Sequence, residues 1–151
     1  EGIFQIFEGH AKVQEMMYNV GDKGEAHAIA LAKTLGTCCL VTDDTKYKGP
    51  YKSLLQYDDE VMPFTFAEVI ILYYIFGTID ASKAISYFDK INITSTMNWN
   101  FETQLKNFLR RFTLNQDSKD TRWLDKALKE QKVSLKNKIL NMQQSLKTNN
   151  Q

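Results

Sequence analysis

The chain has 151 residues, enough for one ordinary domain or for a small domain with an extension, and with 43% hydrophobic and 25% charged residues its composition is typical of a soluble globular protein. The composition excludes a membrane-spanning helix, because no apolar stretch reaches the roughly 18 residues that such a helix needs, and no secretory leader is visible. We therefore expect a cytoplasmic protein without a membrane partner. The net charge of +1 hides an asymmetry, since residues 1–100 carry eight Lys/Arg and 13 Asp/Glu, whereas residues 101–151 carry 11 and five.

The first predicted elements alternate between helix and strand. Apolar residues between positions 3 and 18 predict one or two short helices. A second helix begins at Asp22, an N-cap with Glu25 three residues later, and it ends at Gly36. The apolar, partly β-branched run over residues 37–42 then predicts a buried strand.

The remaining predicted elements are mostly helical. Residues 60–63 predict a second short strand, and helices are predicted over residues 65–77 and from Asp80 to Ile91. An amphipathic helix is predicted over residues 101–112, and one long basic helix over residues 118–146. The order helix, strand, helix, strand, helix indicates an α/β layer arrangement with a parallel sheet.

The two cysteines, Cys38 and Cys39, are adjacent and lie in the first predicted strand. Neighbouring side chains of a strand point to opposite faces, so these two are poorly placed to bridge each other. In an apolar run, cysteine usually behaves as a small buried hydrophobic residue. The pair therefore indicates a reducing, intracellular environment.

Three carboxylates lie where ligands bind in α/β proteins. Asp43 and Asp44 follow the first predicted strand, and ligands of open α/β sheets bind beyond the carboxyl ends of the strands. The preceding helix runs antiparallel to that strand, so Glu25 in its first turn is expected at the same edge. Clustered carboxylates repel unless a cation lies among them, and hard oxygen ligands suit Mg²⁺ or Mn²⁺. Alternatively, Glu25 only caps its helix, and Asp43 and Asp44 form a turn.

The segment from about residue 20 to residue 92 resembles the second half of PIN domains. The resemblance rests on a Gly-Glu-Ala opening to a small-residue helix, a following Gly, an apolar strand and a Thr-Asp-Asp end. In this sequence these features are Gly24-Glu25-Ala26, Gly36, Cys38 to Val41 and Thr42-Asp43-Asp44. The resemblance implies a metal-dependent endoribonuclease with four acidic positions around Mg²⁺ or Mn²⁺. By it, Glu25 takes the third position and Asp43 or Asp44 the fourth, which makes these three the expected catalytic and metal-binding residues.

The resemblance also implies a fold and a domain organisation. We expect an α/β fold, a PIN-like Rossmann-type parallel sheet flanked by helices, in residues 1–95, followed by a basic helical extension in residues 96–151. The first acid of the family lies on an opening strand, and no apolar strand ending in Asp precedes Gly21. The chain is therefore expected to be either a PIN domain that lacks its first strand, in line with its start at Glu1 rather than Met, or a degenerate and catalytically inactive one.

Basic residues are the expected nucleic-acid contacts. Lys46, Lys48 and Lys52 follow the acidic pair, and Arg110 and Arg111 lie in the amphipathic helix. Further candidates in the tail are Lys126, Lys129, Lys132 and Lys136. The alternative is that all these lysines are simply solvated residues of a loop and a helical tail.

Three functions fit these observations. The first is a metal-dependent endoribonuclease that cleaves RNA and acts as a toxin or phage-defence effector, restrained by an inhibitory or antitoxin protein. The second is a catalytically inactive PIN-like module that binds or assembles through its basic C-terminal helices. The third is an interaction protein whose helix over residues 118–146 forms a homo-oligomer or docks onto a partner.

Overall fold

A computed structural model describes residues 2–17, 23–42 and 60–149. The chain divides into two units, Glu1–Phe66 and Ala67–Gln151. In chain order, the elements are α1 (Gly2–Met17), α2 (Lys23–Thr34), β1 (Cys39–Val41), β2 (Met62–Phe64), α3 (Phe66–Ile75), α4 (Ala81–Ser95), α5 (Phe101–Thr113), α6 (Lys119–Glu130) and α7 (Leu135–Asn149). No helix in these ranges is long and apolar enough to cross a membrane.

The described part of the chain is mostly helical, with seven helices and one sheet of two parallel strands. The expected α/β fold, a PIN-like Rossmann-type parallel sheet flanked by helices, is therefore wrong. Each strand has only three residues, and a sheet of two such strands buries too little surface to organise a domain. Both short strands were recognised in the sequence, but recognising strands does not establish how many strands a sheet contains.

The first unit is built on the contact between α1 and α2. The helix α2 consists largely of small residues, which allow close approach of a neighbouring helix, and it buries Ala26, Ile29, Ala30 and Ala32. Gly36, with a φ of 66°, ends this helix as expected, and the Thr37 N–H donates to the Ala32 carbonyl at 2.9 Å. Asp22, the expected cap of the helix, lies outside the described residues.

The strand β1 pairs in parallel with β2, and Cys39 is in register with Met62. The Met62 N–H donates to the Cys38 carbonyl, and the Thr42 N–H donates to the Phe64 carbonyl, both at 2.8 Å. The strand β1 is less buried than expected, since only Leu40 is half-buried and Val41 is 54% exposed. All three residues of β2 are buried, so the buried side chains of this strand pair come mainly from β2.

Local capping signals define the helices of the second unit. Asp80 begins α4 by accepting the Lys83 N–H at 2.8 Å, and Asn100 begins α5 by accepting the Thr103 N–H at 3.0 Å. The long helix expected over residues 118–146 is instead two helices, α6 and α7. Lys132 takes a left-handed φ of 54° between them, and this reversal ends α6 because a helix cannot continue through it.

The core of the second unit includes buried side chains from all five of its helices, and one face of α5 contributes four of them. Phe101, Leu105, Phe108 and Phe112 recur at helical spacing and are all buried. The rings of Phe108 and Phe112 lie 4.7 Å apart between centroids. The two arginines of α5, Arg110 and Arg111, lie on the remaining faces of the helix, which border either the protein interior or solvent.

Candidate nucleic-acid interface

The described residues include only one of the three expected metal ligands. Glu25 is half-buried in the first turn of α2, whereas Asp43 and Asp44 lie outside the described residues. Among residues 2–17, 23–42 and 60–149, no group of three or more His, Cys, Asp and Glu side chains is placed to hold a metal ion. The Mg²⁺ or Mn²⁺ site and the catalytic roles of these three acids therefore stay predictions.

The two adjacent arginines of α5 have opposite environments. Arg110 is exposed, whereas the Arg111 side chain is only 7% exposed. Successive residues of a helix are about 100° apart around its axis, so the apolar stripe carries Arg111 inward and leaves Arg110 in solvent. The expected loop contacts Lys46, Lys48 and Lys52 lie outside the described residues.

Arg111 is the centre of a buried ion cluster. Its Nη1 donates to Glu68 Oε2 at 2.8 Å, and its Nε donates to Asp120 Oδ2 at 2.7 Å. The guanidinium also lies 4.6 Å from the centroid of the Phe112 ring. The cluster joins α3, α5 and α6, because each of the three charged residues comes from a different helix. A guanidinium held in this way is committed to the core, so we exclude Arg111 from the nucleic-acid interface.

An exposed cationic row runs along α6, formed by Arg122, Lys126 and Lys129, and we call it the α6 stripe. The residues are spaced i, i+4 and i+7, which places them within about 60° of one another around the helix. The stripe lies opposite the face that buries Thr121, Leu124 and Leu128. Among the described residues, Lys126 has an acidic neighbour at 3.9 Å, Glu130.

The positive charge of the α6 stripe continues into the next segment. Lys132 and Lys136 are both exposed. Lys132 lies in the turn between α6 and α7, and Lys136 lies at the start of α7. Residues 131–151 contain four lysines and no aspartate or glutamate. The exposed residues of α7 are therefore cationic, amide-bearing or neutral, which is the chemistry that contacts phosphate and sugar.

A shallow groove of about 480 Å³ lies beside the exposed face of α5. It is lined by Thr103, Lys106, Asn107, Leu109, Arg110, Thr113 and Leu114. The Lys106 Nζ lies 2.8 Å from Glu102 Oε1, and this contact lowers the pKa of Glu102. The groove thus offers Arg110 and neighbouring hydroxyl and amide groups to a ligand in solvent.

Two features of the site were not recognised in the sequence. Arg122 was not selected, although its spacing to Lys126 and Lys129 on one helical face was a usable signal. The ion cluster had no local signal, because Glu68 and Arg111 are 43 residues apart and Glu68 also fits a capping position.

No family model, curated protein or solved structure matches this chain. The resemblance to PIN domains therefore rests on the short motif around Glu25, Asp43 and Asp44. The interface described above rests on the burial, spacing and charge of the residues themselves.

Proposed function

We propose that this chain is an RNA-binding protein and that its second unit holds the RNA backbone. The observation that carries the proposal is the exposed α6 stripe, which continues into a 21-residue segment, residues 131–151, with four lysines and no acid. Such a surface attracts a polyanion over several neighbouring phosphates.

The geometry of the α6 stripe suits a phosphate backbone. Arg122 and Lys129 are seven residues apart, so they are separated by about 10 Å along the helix. Both are exposed, and in the described part of the chain no ion pair holds either of them. Cations on a helix held rigid by the ion cluster lose less freedom on binding than those of a flexible tail. Contacts of this type carry little sequence information, so we expect affinity without strong sequence preference.

The first prediction concerns the salt dependence of RNA binding. The plot of log K against log salt has a negative slope. Removing two phosphate contacts by Arg122→Gln and Lys129→Gln should make this slope less steep by about 1.4, given about 0.7 per contact for single strands. Fluorescence anisotropy with a labelled 20-nucleotide single-stranded RNA, between 50 and 200 mM salt, measures this slope. Single-stranded DNA of the same sequence is the comparison ligand.

A matched control is available in α4 of the same unit. Lys83 and Lys90 are also exposed, so Lys83→Gln with Lys90→Gln removes the same charge elsewhere. Unchanged slope in this control supports contacts at the α6 stripe. An equal loss in both double variants would show a response to net charge alone and would contradict the proposed interface.

We propose metal-dependent endoribonuclease activity as a second candidate function. What supports it is the local unit around β1: Glu25 opens α2, α2 precedes β1, and β1 pairs in parallel with β2. The carboxyl ends of parallel strands lie at one edge, and Asp43 and Asp44 follow β1 in the sequence. The expected inhibitory protein partner belongs to this candidate.

The second prediction concerns the metal. If the acids bind Mn²⁺, a free concentration of 100 times the Kd stabilises the folded protein by about 2.7 kcal/mol. Thermal unfolding with and without Mn²⁺ should show this shift in the wild type and lose it in Asp44→Ala. The control is Asp89→Ala, an exposed acid of α4. The absence of a shift in the wild type would remove this candidate.

A further inference from the structure

The two cysteines are placed differently from the expectation of small buried residues. Both Cys38 and Cys39 are free and exposed. Cys38 lies in a bend immediately before β1, and Cys39 is the first residue of that strand. The alternation of faces that a strand imposes therefore applies only from Cys39 onward, because Cys38 lies outside the regular strand.

The two thiols lie beside each other. Burial, together with the neighbouring Cys38 thiol, raises the pKa of Cys39. Two exposed sulfur ligands are thus available on adjacent residues.

The backbone at this position opposes a disulfide between the two cysteines. Consecutive Cα atoms across a trans peptide are about 3.8 Å apart, whereas disulfides normally need roughly 4.4–6.8 Å. The Cys38 carbonyl is also fixed, since it accepts the Met62 N–H at 2.8 Å. Because closing the eight-membered ring would strain this hydrogen-bonded backbone, the thiols stay available to a ligand.

A third sulfur lies on the neighbouring strand. Met62 is in register with Cys39. Paired strands lie about 4.7–4.9 Å apart, and residues in register direct their side chains to the same face of the sheet. Thiolate and thioether ligands together favour soft cations such as Cu(I). In the described ranges no set of three His, Cys, Asp and Glu groups completes the four-ligand site that structural Zn²⁺ requires.

We propose that Cys38 and Cys39 chelate one soft monovalent cation of the Cu(I) type, with the Met62 thioether as the adjoining third ligand. On binding, one Cu(I) ion replaces the protons of two thiols, two metal–sulfur bonds form, and two protons leave to solvent. No electron is transferred, so the site needs no oxidant or reductant.

The test is an anaerobic competition titration of the full chain against a chromophoric Cu(I) chelator. The wild type should withdraw one equivalent of Cu(I). The test variants are Cys38→Ser and Cys39→Ser, each of which keeps one thiol. Each should bind about 10²–10⁴-fold more weakly, the range by which a second linked ligand raises affinity. Met62→Leu, a volume-conserving change, should weaken binding less than either cysteine variant.

Three results would overturn the proposal. They are failure of the wild type to compete for Cu(I), a single-cysteine variant that binds within tenfold of the wild type, and Zn²⁺ affinity equal to Cu(I) affinity. Unchanged Cu(I) affinity in Met62→Leu would show that the Met62 thioether is not a ligand. Thermal unfolding of each variant without metal verifies that the first unit is still folded, so that lost binding is not lost folding.

Discussion

Arg111→Met is expected to destabilise the second unit by about 3–5 kcal/mol, the usual effect of removing one partner from a buried ion pair. Glu68 and Asp120 lie within 2.8 Å of the guanidinium, and the Glu68 side chain is 3% exposed. The substitution takes away their closest cation while the carboxylates stay desolvated. Methionine fills similar volume, so most of the loss is electrostatic rather than the result of a cavity.

The neighbouring arginine provides the control for this prediction. Arg110→Met removes the same charge and the same volume from an exposed position of the same helix, where substitutions usually change stability by less than about 0.5 kcal/mol. Urea unfolding at constant pH gives both free energies of unfolding. Equal, small effects of the two substitutions would show that the cluster does not stabilise the fold.

Replacing all three charged residues separates the ion pair from its burial. Glu68→Leu, Arg111→Met and Asp120→Leu together should be much less destabilising than Arg111→Met alone, because no unpaired charge then remains in the interior. The comparison shows how much of the loss in Arg111→Met comes from the two carboxylates left behind.

Phe108→Ala is expected to cost about 3–5 kcal/mol, the range for truncating a buried aromatic residue. Phe108 is 0% exposed and lies against the Phe112 ring at 4.7 Å between centroids. Its loss removes apolar burial and leaves a cavity in the buried face of α5. Since whole domains are stable by only about 5–15 kcal/mol, this variant should lose a large part of its stability.

The control for Phe108→Ala lies two residues past Phe112, the last buried residue of α5. Leu114 is 80% exposed, so Leu114→Ala should change the free energy of unfolding by less than about 0.5 kcal/mol. Comparable losses of stability in both variants would mean that the apolar face of α5 is not part of the core of this unit. Urea unfolding followed by far-ultraviolet circular dichroism suits both variants, because the unit is helical.

The two candidate functions are separable because they depend on different residues. The proposed RNA binding would depend on Arg122, Lys129 and their neighbours in α6 and α7. The metal test depends on Glu25 and the acids after β1. A change in salt slope without a response to Mn²⁺ would favour the binding module, whereas both responses would justify RNA-cleavage assays of the full chain.

Local signals in the sequence determined most helix boundaries and the inward face of α5. Asp80 and Gly36 act as a helix start and a helix end because caps and left-handed glycines depend only on nearby backbone groups. The apolar spacing from Phe101 to Phe112 predicted an amphipathic helix because helical periodicity is also local, and the structure buries its apolar face. The same reasoning recognised both short strands.

Only the tertiary structure decided how these elements combine. The number of strands in the sheet depends on pairing between distant segments, so the α/β prediction was wrong although each strand was recognised. Arg110 and Arg111 are equivalent in the sequence, yet a carboxylate 43 residues away and the packing of α5 make one structural and leave the other in solvent. The exposure of Cys38 and Cys39 was decided in the same way, because burial depends on the whole fold and not on the apolar character of a short segment.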